Sequence, residues 1–254
     1  MKKFISPLLS VCFILSTFWG HAQSEVSDSS ITIPMLYASY AYQWPGGDLK
    51  DRFGSNSAIG GGGLIKLKSN WLIGADYNYI FGNNIKGSDS LFRAIDTEDG
   101  YIIDRNGELS APNLYERGFY TSVKFGKLFP VLSPNPNSGP FVMGSVGLFQ
   151  HKIRIESIGN TAPQIIGDYV KGYDKLSNGV GISEFIGYMY MGNKRLVSFF
   201  GGIEFTQAFT QSRRSYDFNL GARDVQKRTD LLWGFKVGWI IPFYKRVPKG
   251  YYYN

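Results

Sequence analysis

Large apolar residues alternate with small or polar residues over most of the chain. The clearest run lies near the C-terminus, where every second residue is large and apolar: Leu231, Trp233, Phe235, Val237, Trp239, Ile241 and Phe243. The positions between them are mostly small and include one charge, Lys236. Because successive side chains of a β-strand point to opposite faces, this period of two predicts a strand with one apolar face.

The same alternation recurs in eight segments of the chain. They cover about residues 34–46, 57–69, 71–84, 115–129, 139–156, 179–192, 195–212 and 228–244. A tilted strand needs roughly 9–11 residues to cross the hydrocarbon of a bilayer, so each segment is long enough to do so. After residue 22 the sequence has no apolar run of the roughly 18 residues that a spanning helix needs.

The connections between these segments alternate between short and long. The short ones cover residues 68–70, 130–138 and 192–194, and the long ones cover 47–56, 85–114, 157–178 and 213–227. Outer-membrane barrels join their strands by short periplasmic turns and longer external loops. The sequence therefore predicts an all-β fold, a single eight-stranded antiparallel up-and-down transmembrane β-barrel with both chain ends on the periplasmic side.

Composition narrows the alternatives to this fold. Glycine contributes 31 of 254 residues, aromatic residues 16% and charged residues 19%. Disordered chains are poor in aromatics, and coiled coils are rich in Ala, Leu, Glu and Lys. A soluble secreted barrel stays the main rival, because its strands alternate too, but its outer face needs dense charge. The small and polar face here carries about one charge per segment, which favours the membrane barrel.

Residues 1–22 have the three regions of a secretory signal peptide. Two lysines precede an apolar stretch, and small residues precede Gln23. We therefore expect a signal peptide over residues 1–22 and a barrel domain over residues 23–254. An uncleaved anchor and lipidation at Cys12 are alternatives that the short, interrupted apolar stretch and the residue before Cys12 disfavour.

Cleavage after the signal peptide would leave little chemistry of the cysteine or histidine type. Cys12 and His21 would be removed, so that the mature chain keeps one histidine, His151, and no cysteine. Disulfides and Cys/His zinc sites are then excluded. Alternation is expected to turn His151 toward lipid, together with Phe149 and Ile153. We therefore predict no catalytic residue, no metal site, no cofactor and no enzymatic activity.

The face opposite the apolar one is predicted to line the barrel interior, filled by Gly, Ser and a few paired charges. Six charged residues lie on it near the middle of their segments: Lys66, Asp76, Lys124, Glu184, Glu204 and Lys236. Three bases and three acids inside an eight-stranded barrel, whose interior just holds its own side chains, would pair with each other. We therefore predict a closed, salt-bridged interior without an open pore.

Two parts of the sequence resemble those of a known group of proteins. The signal peptide ends His21-Ala22-Gln23, and the last segment reads Gly-Phe-Lys-Val-Gly-Trp-Ile-Ile-Pro-Phe-Tyr over residues 234–244. These features resemble small outer-membrane barrels of Bacteroidota, of the OmpA-type and PorT-like kinds. The resemblance implies an outer-membrane location and an interior salt-bridge network. It also implies a possible role as an accessory subunit in secretion or barrel-assembly machinery. The chain departs from the pattern in the ten residues that follow its last strand, 245–254.

Charge is distributed unevenly over the long connections. The second one holds Asp96, Glu98, Asp99 and Asp104, whose spacing does not match a calcium loop, so we interpret them as solvated acids. The fourth one is basic and could bind lipopolysaccharide phosphates through Arg213, Arg214, Arg223, Lys227 and Arg228. No basic stripe interleaved with aromatics is present, so nucleic acid is not expected as a partner.

Three functions remain open from the sequence. The best supported is a structural or accessory subunit of an outer-membrane complex, with outer-membrane lipid, lipopolysaccharide and membrane proteins as partners. The alternative is a surface-exposed binding barrel that contacts a ligand, a host or lipopolysaccharide, with the long second connection as the contact. A lipid-modifying enzyme is the least favoured, because it would depend on His151 alone.

Overall fold

The computed structural model describes residues 29–157, 159, 161–192 and 197–243. The predicted signal peptide and the predicted tail, residues 245–254, lie outside the described residues. The strands are β1 (Ile33–Gly47), β2 (Asn56–Lys66), β3 (Trp71–Gly82), β4 (Ile102–Ile103), β5 (Leu109–Ser110), β6 (Asn113–Leu128), β7 (Gly139–Glu156), β8 (Ser177–Met191), β9 (Ser198–Ser212) and β10 (Lys227–Pro242).

Eight of these strands close into one antiparallel barrel. Their order around the ring is β1-β10-β9-β8-β7-β6-β3-β2, and β4 pairs with β5 in a separate hairpin. The ring closes between β1 and β10, where Tyr40 lies opposite Val237. A closed ring leaves no edge strand with unpaired backbone groups, as hydrocarbon requires. The predicted eight-stranded antiparallel up-and-down barrel is confirmed.

Short turns lie at one end of the barrel and long loops at the other. We call the connections at the loop end loop 1 (48–55), loop 2 (83–112), loop 3 (157–176) and loop 4 (213–226). Their described residues include short helical turns, at Leu49–Asp51, Ser88–Leu91 (α1), Pro163–Ile165 and Tyr169–Gly172, and loop 2 also holds the β4–β5 hairpin. No helix in the described part of the chain is long and apolar enough to cross a membrane. At the turn end, Asn70 adopts a positive φ of 62° in the tight β2–β3 turn.

The outer face of the barrel is apolar and rich in aromatic rings. Neighbouring strands stack their rings across this face, as Trp44 does on Trp233 at 4.8 Å and Trp71 on Phe125 at 4.7 Å. The large apolar residues predicted to face outward on β10 are all at least partly exposed. Such a surface is unfavourable in water, because it is a continuous apolar area rather than scattered residues, but it matches the hydrocarbon of a bilayer.

The interior is packed in three layers. An apolar cluster at the turn end includes Phe141, Phe185 and Phe200, and a second one at the loop end includes Tyr120 and Phe149. A charged layer separates them. The expectation that glycine, serine and a few paired charges fill the interior is therefore wrong in part. The reason is volume, since aromatic rings occupy space that small residues on the neighbouring strands leave open.

One glycine shows how this packing depends on close approach. Gly238 on β10 faces the ring of Phe200 on β9, and a Cβ atom at position 238 would lie 2.2 Å from a ring carbon. Any larger residue would therefore push the ring of Phe200 away from its contacts. That ring packs edge-on against Tyr37 at 5.4 Å and Phe185 at 5.8 Å, so this glycine supports the whole turn-end cluster.

Candidate functional site

Four buried charges from four strands form the middle layer of the interior. We call Asp76, Lys124, Glu204 and Lys236 the charge belt. Lys124 Nζ lies 2.7 Å from Asp76 Oδ2, and Lys236 Nζ lies 3.0 Å from Glu204 Oε1. Two longer contacts of 3.7 Å cross-link the pairs, from Lys124 to Glu204 and from Lys236 to Asp76. The formal charges of the belt cancel, so each ion has opposite charges on two sides.

Further polar groups complete the bonding of Asp76. Its carboxylate accepts hydrogen bonds from the hydroxyl of Tyr37 at 3.0 Å, from Ser122 at 2.7 Å and from the amide of Asn78 at 2.9 Å. A buried carboxylate is tolerated only when charge and hydrogen bonds replace its lost hydration. The belt is therefore a bonded cross-link between strands on opposite sides of the barrel.

Two of the six charges predicted for this network do not belong to it. Lys66 is buried but lies at the turn end, where its ammonium donates to Ser30 Oγ at 3.0 Å and to Asn137 Oδ1 at 2.9 Å. Glu184 is not inside the barrel at all, because its side chain lies exposed on the outer face between Ile182 and Ile186. The structure thus corrects both expectations.

The orientation of Glu184 follows from a strand that is apolar on both faces. On β8, Ile182 and Ile186 face outward while Phe185 and Met189 face inward. The alternation of residues along β8 then assigns each side chain to one of two faces, but it does not predict which face points into the barrel. The pairing of β8 with its neighbours decides the direction, and it leaves the carboxylate on the apolar side.

The prediction that His151 faces lipid is also wrong, and for the same reason. On β7 the inward face holds Phe149, His151 and Ile153, which are all buried. His151 Nε2 lies 3.0 Å from the carboxylate of Asp230 on β10, within the loop-end cluster. Alternation along the sequence did not identify this pair. The available signal was Asp230, an acid on the inward face near the loop end of the last segment.

This histidine and carboxylate do not form a hydrolytic triad. The hydroxyl of Thr210 donates to Asp230 at 2.5 Å rather than to the histidine, and His151 Nδ1 has no hydrogen-bond partner among the described residues. A nucleophile must bond to the base that activates it, and the carboxylate must bond to the other side of that base. The arrangement seen here is that of a buried structural contact, which the ring of Phe53 covers at 5.4 Å.

Loops 1, 3 and 4 fold over the barrel mouth and are joined by ion pairs. We call these three loops together the loop cover. Arg228 Nη2 lies 2.6 Å from Asp224 Oδ2, and Arg52 lies 3.8 Å from the same oxygen. Burial raises the pKa of Asp224, but the hydrogen bonds from Arg228 and from the backbone N–H of Gln226, with the two guanidinium charges, hold it below its usual value.

Arg214 and Lys175 extend the same cover. Arg214 donates from Nε to Asp174 Oδ1 at 2.8 Å, and this bond raises the pKa of the guanidinium. Lys175 Nζ lies 2.5 Å from Asp217. Two of the five bases predicted to bind lipopolysaccharide, Arg214 and Arg228, therefore already form ion pairs within the protein.

The other three predicted bases are exposed on or beside loop 4. They are Arg213, Arg223 and Lys227. In loop 2 the carboxylate of Asp104 accepts the backbone N–H groups of Asn106 and Glu108, at 2.8 and 2.9 Å, and these bonds lower its pKa. Among the described residues, no group of three His, Cys, Asp or Glu side chains is arranged to hold a metal ion.

The free space beside the charge belt is small. A void of about 10 Å³ lies beside the charge belt, next to Gln43, Asn78, Glu204 and Thr206. That is room for about one water molecule and not for a conduit. The closed ring, its apolar outer face and its packed interior together define the class of this protein: an eight-stranded β-barrel of the outer membrane, closed in its interior.

No family model matches the chain, and no curated protein matches it. Among solved structures it is similar to Neisserial surface protein A (NspA), at 13% identity and a TM-score of 0.44, over 82% of this chain and 96% of that one. It is also similar to Ail of Yersinia pestis in complex with the heparin analogue sucrose octasulfate, at 9% identity and a TM-score of 0.40, over 83% and 99%.

A third similar structure is OprG from Pseudomonas aeruginosa. It shares 9% identity with a TM-score of 0.37, over 86% of this chain and 99% of that one. At these values the similarity is one of strand arrangement only. The resemblance to barrels of Bacteroidota stays a prediction.

Proposed function

We propose that the protein is a non-catalytic accessory subunit of an outer-membrane complex, such as secretion or barrel-assembly machinery, and that it contacts its neighbour through the outer face of β7 and β8. A filled interior supports a role other than transport. The loops and the periplasmic turns then flank a lateral contact within the membrane. The observation that carries the proposal is Glu184.

Glu184 is a charged side chain on the apolar outer face, where a barrel surrounded by lipid would expose it to hydrocarbon. It lies at the middle of β8, opposite Gly144 on β7 and Phe205 on β9. Among the described residues it has neither an ion pair nor a hydrogen bond. A carboxylate facing hydrocarbon costs roughly 1–3 kcal/mol, so a donor on a neighbouring protein would remove a real penalty.

The surroundings of Glu184 have the character of a contact between membrane proteins. Gly144 leaves a notch beside it, because a Cβ atom there would have no neighbour nearer than the carbonyl oxygen of Phe125, at 4.0 Å. Gln207, two residues from Phe205 on β9, adds a second polar group to the same face. Small residues that permit close approach and polar residues that bond across the contact are the usual components of such interfaces.

Filling the notch tests the proposal without disturbing the barrel. We expect Gly144→Leu to reduce the amount of complex recovered in mild detergent by ~tenfold, since a lost close contact of this kind is worth about 1.4 kcal/mol or more. The measurement is the native size and composition of the complex that contains the protein, isolated from the producing cells. Gly63→Leu on β2 is the matched control, because a Cβ there meets only Leu36, at 3.7 Å.

Glu184→Leu distinguishes a role of Glu184 in contact with a neighbouring protein from a role in the stability of the barrel itself. The isolated barrel should gain stability, because a carboxylate leaves the apolar face, while the complex is lost. Equal recovery of complex for Gly144→Leu, Glu184→Leu and Gly63→Leu would contradict the proposal. So would a complex that contains only this chain.

A binding role for the loops is the second candidate, and one observation favours it. The β4–β5 hairpin of loop 2 exposes Tyr101, Ile103 and Leu109, which are apolar residues on an external loop. Exposed apolar residues in a group often mark an interaction site. Gly144→Leu discriminates between the candidates, because binding by loop 2 would not depend on the outer face of β7.

A further inference from the structure

A groove of about 430 Å³ lies on the barrel exterior at the loop end of β6 and β7. Outward side chains of the two strands line it, and Val170 and Asp174 of loop 3 border it. No function considered so far uses this surface, and it lies toward the opposite end of β7 from the notch at Gly144.

Three cations surround this groove, which we call the β6–β7 groove. Arg117 on β6 lies opposite Lys152 on β7, and Arg154 follows two residues later on the same face. Lys152 has no ion-pair or hydrogen-bond partner in the described ranges. Arg154 is bonded only to the exposed Glu156, at 2.7 Å, so solvent already competes for this pair.

The arginine on β6 is held in position by its own strand. Its guanidinium lies over the ring of Tyr115 at 4.9 Å and donates to the carbonyl of Glu116 at 2.7 Å. The one acid that borders the groove, Asp174, is bonded to Arg214 of the loop cover. Arg117 and Lys152 therefore leave the groove with a net positive charge, even when Arg154 is counted as paired with Glu156.

Aromatic residues lie directly below these cations, on the side away from the loops. Tyr79 and Phe119 line the lower part of the groove, and Tyr77 stacks on Phe119 at 5.7 Å. Aromatic rows of this kind mark the level where lipid headgroups meet hydrocarbon. The three cations thus lie at the height of lipid phosphates, and the groove opens toward the bilayer rather than toward the barrel mouth.

We infer that the β6–β7 groove binds the phosphorylated headgroup of an outer-leaflet glycolipid. Arginine forks bind phosphate with two hydrogen bonds, and lysine adds a point charge. The aromatic row below would contact the first part of the acyl chains. The ligand class is the one expected from the sequence for loop 4, but the site is a different one, on the lipid side of the barrel.

The test compares two charge removals of equal size on the full purified protein. One variant carries Arg117→Gln, Lys152→Gln and Arg154→Gln in the groove. The control carries Arg213→Gln, Arg223→Gln and Lys227→Gln at loop 4, where the residues are exposed. Titration with diphosphorylated lipid A in detergent, followed by native mass spectrometry, gives the dissociation constant. We expect ~tenfold weaker binding for the groove variant and less than ~threefold for the control.

Several results would overturn the inference. One is equal losses in the two variants, or a larger loss at loop 4. Another is equal affinity for lipid A from which both phosphates have been removed. Inorganic phosphate that binds as tightly as lipid A would exclude the lipid as the ligand. Heat-dependent gel migration shows whether each variant is folded. If the triple groove variant does not fold, Lys152→Gln alone tests the inference, and we expect it to bind lipid A ~threefold more weakly than the wild type does.

Discussion

Each ion of the charge belt depends on its neighbours, since all four side chains are buried. Lys124 touches both acids of the belt, at 2.7 Å and 3.7 Å, and is nearly inaccessible to solvent. Removing one partner of a buried pair leaves the other charge without compensation, which costs more than the pair itself contributes. The belt therefore acts as a specific cross-link whose loss is felt by all its members.

Lys124→Met is expected to lower the free energy of unfolding by about 3–5 kcal/mol, because Asp76 loses its nearest cation in a low-dielectric interior. Urea unfolding of the barrel in micelles, followed by tryptophan fluorescence, measures the change. Lys127→Met is the control: Lys127 lies at the turn end, with its ammonium 2.7 Å from the carbonyl of Ser69, and exposed contacts of this kind contribute about 1 kcal/mol or less. Equal effects of the two substitutions would contradict a bonded belt.

The loop cover is the element that closes the external mouth. Loop 1 inserts Leu49 and Phe53 into the loop-end cluster, and loop 3 adds Ile165 and Tyr173. Above this apolar contact, the ion pair of Asp224 with Arg228 ties loop 4 to its own strand end. Apolar burial holds the cover down, and the ion pairs set its geometry.

Acid should loosen loop 4 only at very low pH. The pKa of Asp224 in the folded protein lies below its usual value of 3.8. A depressed pKa contributes stability above the value of the unfolded chain, and this contribution is lost as the pH falls through the folded value. The protection factors of residues 213–226, which are the amide exchange rates corrected for the intrinsic rate at each pH, should therefore be unchanged from pH 7 to pH 5 and should fall below about pH 4.

Asp224→Asn provides the comparison for this titration. This variant should show lower protection factors in loop 4 than the wild type already at pH 7, because the amide cannot pair with Arg228 as a carboxylate does. Opening of the wild-type loop near pH 6 would show that another group controls it.

At the scale of the whole molecule, the barrel is a filled cylinder. Two apolar clusters, the charge belt and the loop cover lie in series along its axis, and the void beside the belt has a volume of about 10 Å³. An ion would have to pass every one of these layers. Removing one layer, such as the loop cover, leaves the others in place, so the closed state does not depend on a single gate.

We therefore expect no stable single-channel conductance of porin size from the purified protein in planar bilayers. The interior of an eight-stranded barrel is just wide enough for its own side chains, and the void beside the belt holds about one water molecule, so we expect no route for cations or anions. A reproducible conductance step of porin size at neutral pH would contradict this prediction.

Strand number, topology and the belt's residues were largely predictable. On β10 every outward residue from Leu231 to Ile241 is large and apolar, whereas the inward ones include two glycines, so the inward direction of Lys236 was correctly predicted. Asp76, Lys124 and Glu204 were predicted for the same reason. On β7 and β8 both faces carry large apolar residues, and here the directions of His151 and Glu184 were predicted wrongly.

The sequence by itself determined an eight-stranded barrel with turns at one end and loops at the other, because alternation and connection length are local properties of the chain. Only the tertiary structure decided which face of β7 and β8 points inward, because that depends on pairing with neighbouring strands. It also decided that Arg214 and Arg228 are bonded within the loop cover, while Arg117, Lys152 and Arg154 surround a groove. Contacts between distant residues leave no periodic signal in the sequence.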